Sequence, residues 1–224
     1  MRVRSPAHKE FAVITLHNYM LALGIGNLTF ALLILVYMRS SSASPGLRTW
    51  MLARMVFGLT QMLAWGRPQT GLPLLAVVES AGWVAGLALE AAAYIGFFGY
   101  PRLHRILLPV TGLGLLLACA SPLAGMAYEA LIAYVSLLLG GGAFLIGLLL
   151  IHPRLTTVTA LQRMIGVTDI GCGAVLVYFA ALGIFGPPIA DSTMRAAYGA
   201  GYLLLIVNGF GFILMSKQHD DARM

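Results

Sequence analysis

The stretch LIAYVSLLLGGGAFLIGLLLI, residues 131–151, decides the fold. It holds no charged side chain, and as a helix rising 1.5 Å per residue it is long enough to cross the ~30 Å hydrocarbon core of a bilayer. A strand of a membrane barrel would instead alternate apolar and polar positions over about ten residues, and no such alternation is present. The segment is therefore a membrane-spanning helix.

The rest of the chain repeats this pattern. Of 224 residues 59% are hydrophobic and 10% charged, with a mean hydropathy of +0.87, too little charge to coat a water-soluble globule. Apolar runs bounded by charge, Pro or Gly predict an all-α bundle of seven transmembrane helices over 13–38, 46–66, 72–99, 103–121, 125–151, 158–185 and 192–216. The links are short and rich in turn residues, so residues 1–216 read as one membrane domain with no soluble part. The basic N-terminus leads into a full-length span without a clear cleavage site, which argues against a removable signal peptide. Cys119 and Cys172 fall inside apolar runs and read as packing residues, with a disulfide between them left open; no Cys/His spacing points to a metal, and no cofactor is expected.

Orientation follows from the Lys/Arg bias at helix ends. With the C-terminus inside, Arg39, Arg48, Arg54, Arg102, Arg105, Arg154, Arg163, Lys217 and Arg223 are cytoplasmic, against Arg2, Arg4, Lys9, Arg67 and Arg195 outside. That favours N-out and C-in, opposed only by the N-terminal tail. Basic loops facing anionic lipid also account for the net charge of +6, so no nucleic-acid partner is implied. After the last span, residues 217–224 turn polar at once; either the protein ends there or this is the start of a linker to a cytoplasmic domain.

Ionisable groups inside a span cost several kcal/mol unless paired, wetted or used. Glu79 and Glu90 stand eleven residues apart on the third span, which places them on one helical face roughly 16 Å apart. Gly82 and Gly86 lie between them in a small-xxx-small pattern that permits close helix approach, so this face looks into the bundle. Glu90 and Arg54 are expected at similar depth as a buried ion pair, either purely structural or part of a relay. Glu79 lies in the outer half with Trp83 nearby on the same helix, at a depth where His17 and Asn18 of the first span, Glu129 of the fifth and Arg195 of the seventh could converge. Glu79, Trp83, Glu129, His17 and Arg195 are the expected ligand-binding set; the competing reading makes Glu79 and Glu129 interfacial groups, solvated or paired with Arg195, and His17 an ordinary interfacial histidine. Asp169, near mid-membrane in the sixth span, must be paired, protonated or wetted, as a structural group or as part of a relay; Arg163, six residues back, is badly spaced to pair with it, and Asn208 of the last span is a candidate neighbour. Trp50 and Trp65, near the two ends of the second span, suit an aromatic belt, and the methionines suit packing.

Several function classes fall away. No nucleophile–base pair, HExxH or GxSxG is present, and Glu79 and Glu90 are too far apart to share one reacting bond, so the chain does not read as an enzyme. A retinal protein would need a lysine deep in its last helix, whereas Lys217 sits at the edge. A small transporter of a polar solute or protons remains an alternative, although no internal repeat supports it.

The stretch Gly46-Leu-Arg-Thr-Trp50-Met-Leu-Ala53, continuing to Gly58, Gly66-Arg67 and Pro73, resembles the second span and following loop of the MASE-type membrane sensor domains of bacterial GGDEF diguanylate cyclases. The acidic third helix ending Phe97-Phe98-Gly99 and the exit Gly209-Phe-Gly-Phe-Ile-Leu-Met215-Ser-Lys217 are similar to that group as well. The resemblance implies a bacterial inner-membrane receptor for a small-molecule signal, homodimeric because a cyclase site forms between two GGDEF domains. It also implies that residues 217–224 start a cytoplasmic helix or linker to a missing output domain, since these 224 residues carry no GGDEF signature and cannot themselves make cyclic di-GMP.

Overall fold

A computed structural model describes residues 6–40, 45–70, 73–123, 128–152, 159–185 and 191–221. They form seven helices: α1 (Pro6–Ser40), α2 (Pro45–Thr70), α3 (Pro73–Phe98), α4 (Pro101–Leu123), α5 (Tyr128–Ile151), α6 (Ala160–Phe185) and α7 (Asp191–Asp221). Four of them open on proline, whose missing N–H is an orphan at that position anyway and whose fixed φ suits the first turn. α6 opens differently, on a capping box: the Gln162 amide donates to Thr159 Oγ1 at 3.2 Å while the Thr159 amide donates to Gln162 Oε1 at 2.8 Å. Replacing Thr159 with alanine is expected to lower stability by about 1 kcal/mol, read from unfolding in mixed micelles; an unchanged transition would show that α6 does not need this cap.

α3 and α4 meet in the tightest described connection. Gly99, at φ +72°, takes the left-handed position that ends α3, the Tyr100 amide reaches back to the Ile95 carbonyl at 3.0 Å, and Pro101 starts the next helix.

Six of the seven helices, all but α2, are long and apolar enough to cross a membrane, and the chain is a multi-pass membrane protein. α2 falls short because Arg48, Arg54, Arg67, Thr60 and Gln61 interrupt its apolar run. Four helices exceed their expected spans at both ends, α2 and α4 by a few residues and α1 and α7 by more. α1 begins at Pro6 rather than 13, and α7 runs unbroken through the polar residues after Met215 to Asp221.

The helices close a ring in which α1 packs on α2, α2 on α3, α3 on α5, α5 on α6, α6 on α7 and α7 back on α1; α4 lies outside, against α3 and α5. Glycines set the closest approaches. Gly24 of α1 faces Gly58 of α2, and Gly82 and Gly86 of α3 receive Thr60 and Phe57 of α2, so the small-residue pattern of the third helix is a packing seam. Outer faces carry exposed leucines such as Leu32, Leu108, Leu116 and Leu145, the surface that lipid covers.

At the end of the bundle where α1 and α3 finish and α2 begins, the ring is filled by Ile34, Leu47, Trp50, Tyr94, Leu150, Ile165 and Phe212. Trp50 stacks on Phe212 with centroids 5.1 Å apart and planes at 6°, and Tyr94 meets the same ring edge-on. This corrects the aromatic-belt reading of Trp50, which is fully buried because its face of α2 points at α7; Trp65 is half-buried. Both cysteines are free, Cys172 buried on α6 and Cys119 half-buried on α4.

Candidate ligand site

The opposite half of the ring is hollow. A cavity of about 210 Å³ is walled by six helices, with Asn27 from α1, Arg54 and Gln61 from α2, Glu79, Trp83 and Glu90 from α3, Ser136 from α5, Phe179 from α6, and Tyr198 and Asn208 from α7. α4 contributes nothing, as its position outside the ring requires. The volume exceeds the ~150 Å³ engineered cavity that binds benzene, and the mixture of aromatic walls with a few convergent polar groups is that of a small-molecule site.

The floor is a buried polar network. Arg54 forms an ion pair with Glu90, and its other terminal nitrogen donates to Asn27 Oδ1 at 3.2 Å. Asn27 in turn donates to Gln61 Oε1 at 2.8 Å and to the Leu23 carbonyl at 3.1 Å. The guanidinium lies 4.3 Å from the Trp50 ring centroid and 5.7 Å from that of Phe57, so aromatic faces help to offset the cost of burying it. α1, α2 and α3 are thereby tied at one level, with the Trp50–Phe212 stack beyond.

Glu79, 7% exposed, lines the wall three helical turns from Glu90 and is held by interactions within the chain. Trp83 stands between them on the same helix, its ring 5.9 Å from that of Phe57. Of the expected ligand set, Glu79 and Trp83 meet at the cavity. Arg195 does not: it is exposed on α7, roughly a quarter of a turn from the face carrying Tyr198, Leu205 and Asn208. Asn18 is likewise exposed, and the side chains of His17 and Glu129 lie outside the described residues.

Asp169 is fully buried, and among the described residues the Asn208 side chain is the hydrogen-bonding neighbour of its carboxylate, at less than ideal geometry. Asn208 and Arg54 lie close enough to act on its charge, while Arg163 is exposed. Arg54 thus has two acidic neighbours, Glu90 on α3 and Asp169 on α6.

Asn27 and Gln61 are site residues that sequence reasoning missed. Gln61 carried a usable signal, since it lies seven residues beyond Arg54 and so on the same face of α2. Asn27, a polar residue in the middle of an otherwise apolar run, carried one too. Among the described residues no group of three or more His, Cys, Asp or Glu is arranged to hold a metal.

No family model matches the chain, nor does any curated protein or solved structure. The functional reading therefore rests on the cavity and its surroundings.

Proposed function

We propose that this chain is a sensory module of a bacterial inner membrane that binds a small molecule in the central cavity and passes the event through α7 to a cytoplasmic output. The cavity carries the proposal: it is walled by six helices, holds charged and aromatic groups together, and has α7 as one of its walls. α7 supplies Asn208 to the floor and Phe212 to the aromatic plug, then continues as one helix to Asp221. Gly209 and Gly211 admit Phe30 of α1 and Ile165 of α6 against the α7 backbone, so a shift of α7 means repacking discrete contacts on two neighbours.

In this reading α2 is the seventh span. It is 26 residues long, enough for ~39 Å, and lies in the ring between α1 and α3, which both cross. The basic bias at helix ends supports N-out and C-in, which places the cavity in the outer half and the plug toward the cytoplasm. A diguanylate cyclase is the output that the likeness to MASE-type domains implies, and with it a homodimer. The ligand must prefer one packing of α7 by roughly 1–3 kcal/mol to act as a switch.

The test joins α7 in helical register to a cyclase reporter. Gly201 lines the cavity, and a Cβ there would meet only Leu23, at 3.7 Å. Gly201→Phe therefore projects a ring into the empty space, and both it and Glu79→Gln are expected to change cyclic di-GMP output at least about threefold, whereas Leu108→Phe on the lipid face of α4 leaves it unchanged. Folded cavity variants with unaltered output would sink the sensor reading. Solute or proton flux into proteoliposomes containing this chain alone would move it to the transporter class.

A further inference from the structure

We infer that the cavity takes an uncharged, mainly apolar ring compound, of one ring or two fused rings. The inference rests on the reading of the cavity as a ligand site and names the class of ligand. It starts from the charges, because a charge brought into the bundle must find a counter-charge or a path for water. Among the described lining residues the charged side chains are Arg54, Glu79 and Glu90, and each already has an interaction within the chain. Arg54 gives one terminal nitrogen to Glu90 and the other to Asn27, with the Trp50 and Phe57 rings beside it. Asn27 is tied in turn to Gln61 and to the Leu23 carbonyl. A carboxylate ligand would have to displace Glu90 from the guanidinium. An ammonium ligand would have to draw a carboxylate away from the contacts it has. A neutral ligand leaves the whole network as it stands.

The rest of the wall gives that molecule its shape. Most of it is apolar, with Leu23 of α1, Leu139 and Ile146 of α5 and Leu176 of α6 among its side chains. Aromatic residues enter from opposite sides of the ring of helices. Phe57 of α2 and Trp83 of α3, with centroids 5.9 Å apart, line one side, and Phe179 of α6 and Tyr198 of α7 line the other. Such walls offer a flat ligand the edge-on and offset-stacked contacts that a saturated chain cannot use. Tyr198 is itself stacked on Tyr19 of α1, with centroids 5.9 Å apart and planes at 15°, which braces the wall where α7 meets α1. Volume sets the size. The ~150 Å³ cavity that admits benzene is smaller than this one of about 210 Å³, which leaves room for a second fused ring. Gly201 keeps the α7 side open, since a Cβ there would meet only Leu23, at 3.7 Å.

Four probes separate the possibilities: naphthylmethanol, naphthylmethylammonium and naphthoate, which share one skeleton, and decanol as a linear chain. Each is titrated by calorimetry into the purified full chain in nanodiscs, with the heats from protein-free nanodiscs subtracted and affinities referred to the concentration in the bilayer. Naphthylmethanol is expected to bind at least about tenfold tighter than either ion and than decanol. Gly201→Phe, which fills the space, should abolish its binding, and Leu108→Phe on the lipid face should leave it unchanged. If Gly201→Phe does not fold, Trp83→Leu takes its place and should weaken naphthylmethanol about fivefold without affecting decanol. Either ion binding as tightly as naphthylmethanol overturns the neutral assignment. Decanol doing so overturns the ring assignment and gives the cavity to a linear chain such as a lipid tail. Naphthylmethanol binding that survives a folded Gly201→Phe places the compound elsewhere and overturns the inference. Absence of saturable binding by all four overturns it too; the sensor reading then stands if Gly201→Phe still shifts the cyclase reporter and falls with it if that variant is silent.

Discussion

Replacing Glu90 and Asp169 together by leucine is expected to cost more stability than the two single replacements added, with a total of about 3–5 kcal/mol, the range for leaving one partner of a buried pair uncompensated. Arg54 is 4% exposed and pairs with Glu90, and Asp169 of α6 lies within electrostatic reach of it. A guanidinium cannot shed its charge, so the chain must supply a counter-charge or open a path for water. Glu90→Leu alone leaves Asp169 to take that part and should be the milder change. Asp169→Leu alone leaves the Glu90 pair intact. Removing both strands a permanent cation between α1, α2 and α3, and adding Arg54→Met to the double variant should recover most of the loss. Unfolding in mixed micelles across the full cycle of variants measures the coupling. Additive losses would show that Asp169 is not a second counter-ion of Arg54.

How far the sequence spoke for the fold and the site depended on which physical signal each feature leaves. Span length and the absence of alternation announce helices that cross, and the six most apolar ones are there. α2 is where that signal weakens, because the side chains that make it part of the site, Arg54 and Gln61, are those that lower its hydropathy. Helical periodicity put Glu79 and Glu90 on one face, and both line one cavity. Depth alone could not place Arg195, since matching depth says nothing about which way a side chain faces on its helix. The same gap misassigned Trp50: its position near a helix end fits a lipid interface, but its direction is toward Phe212. That α4 sits outside the ring left no mark in composition, for α4 is no more apolar than helices within it.

The α5–α6 hairpin carries the other large expected effect. Gly140 and Gly147 on α5 face Gly173 and Gly166 on α6, each pair of glycines seven residues apart, so two antiparallel backbones touch at two levels. A Cβ on Gly147 would come within 2.6 Å of the Gly166 carbonyl, and one on Gly173 within 2.7 Å of the Gly140 carbonyl. Backbone cannot step aside as a flexible side chain does, so the helices must separate and lose the dispersion contacts between them, in a solvent that offers no hydrophobic effect to draw them back. Gly140→Leu and Gly173→Leu are each expected to cost about 3 kcal/mol. Combining them should cost clearly less than the sum, because the first substitution already opens the seam that the second needs. The adjacent glycines supply the control. Nothing lies within 4 Å of a Cβ built on Gly141 or Gly171, so leucine there should change stability by no more than about 0.5 kcal/mol. Equal losses at Gly140 and Gly141 would mean that the effect belongs to glycine in a helix generally and not to this contact. A loss confined to the facing glycines would instead identify the α5–α6 hairpin as a rigid wall of the ring.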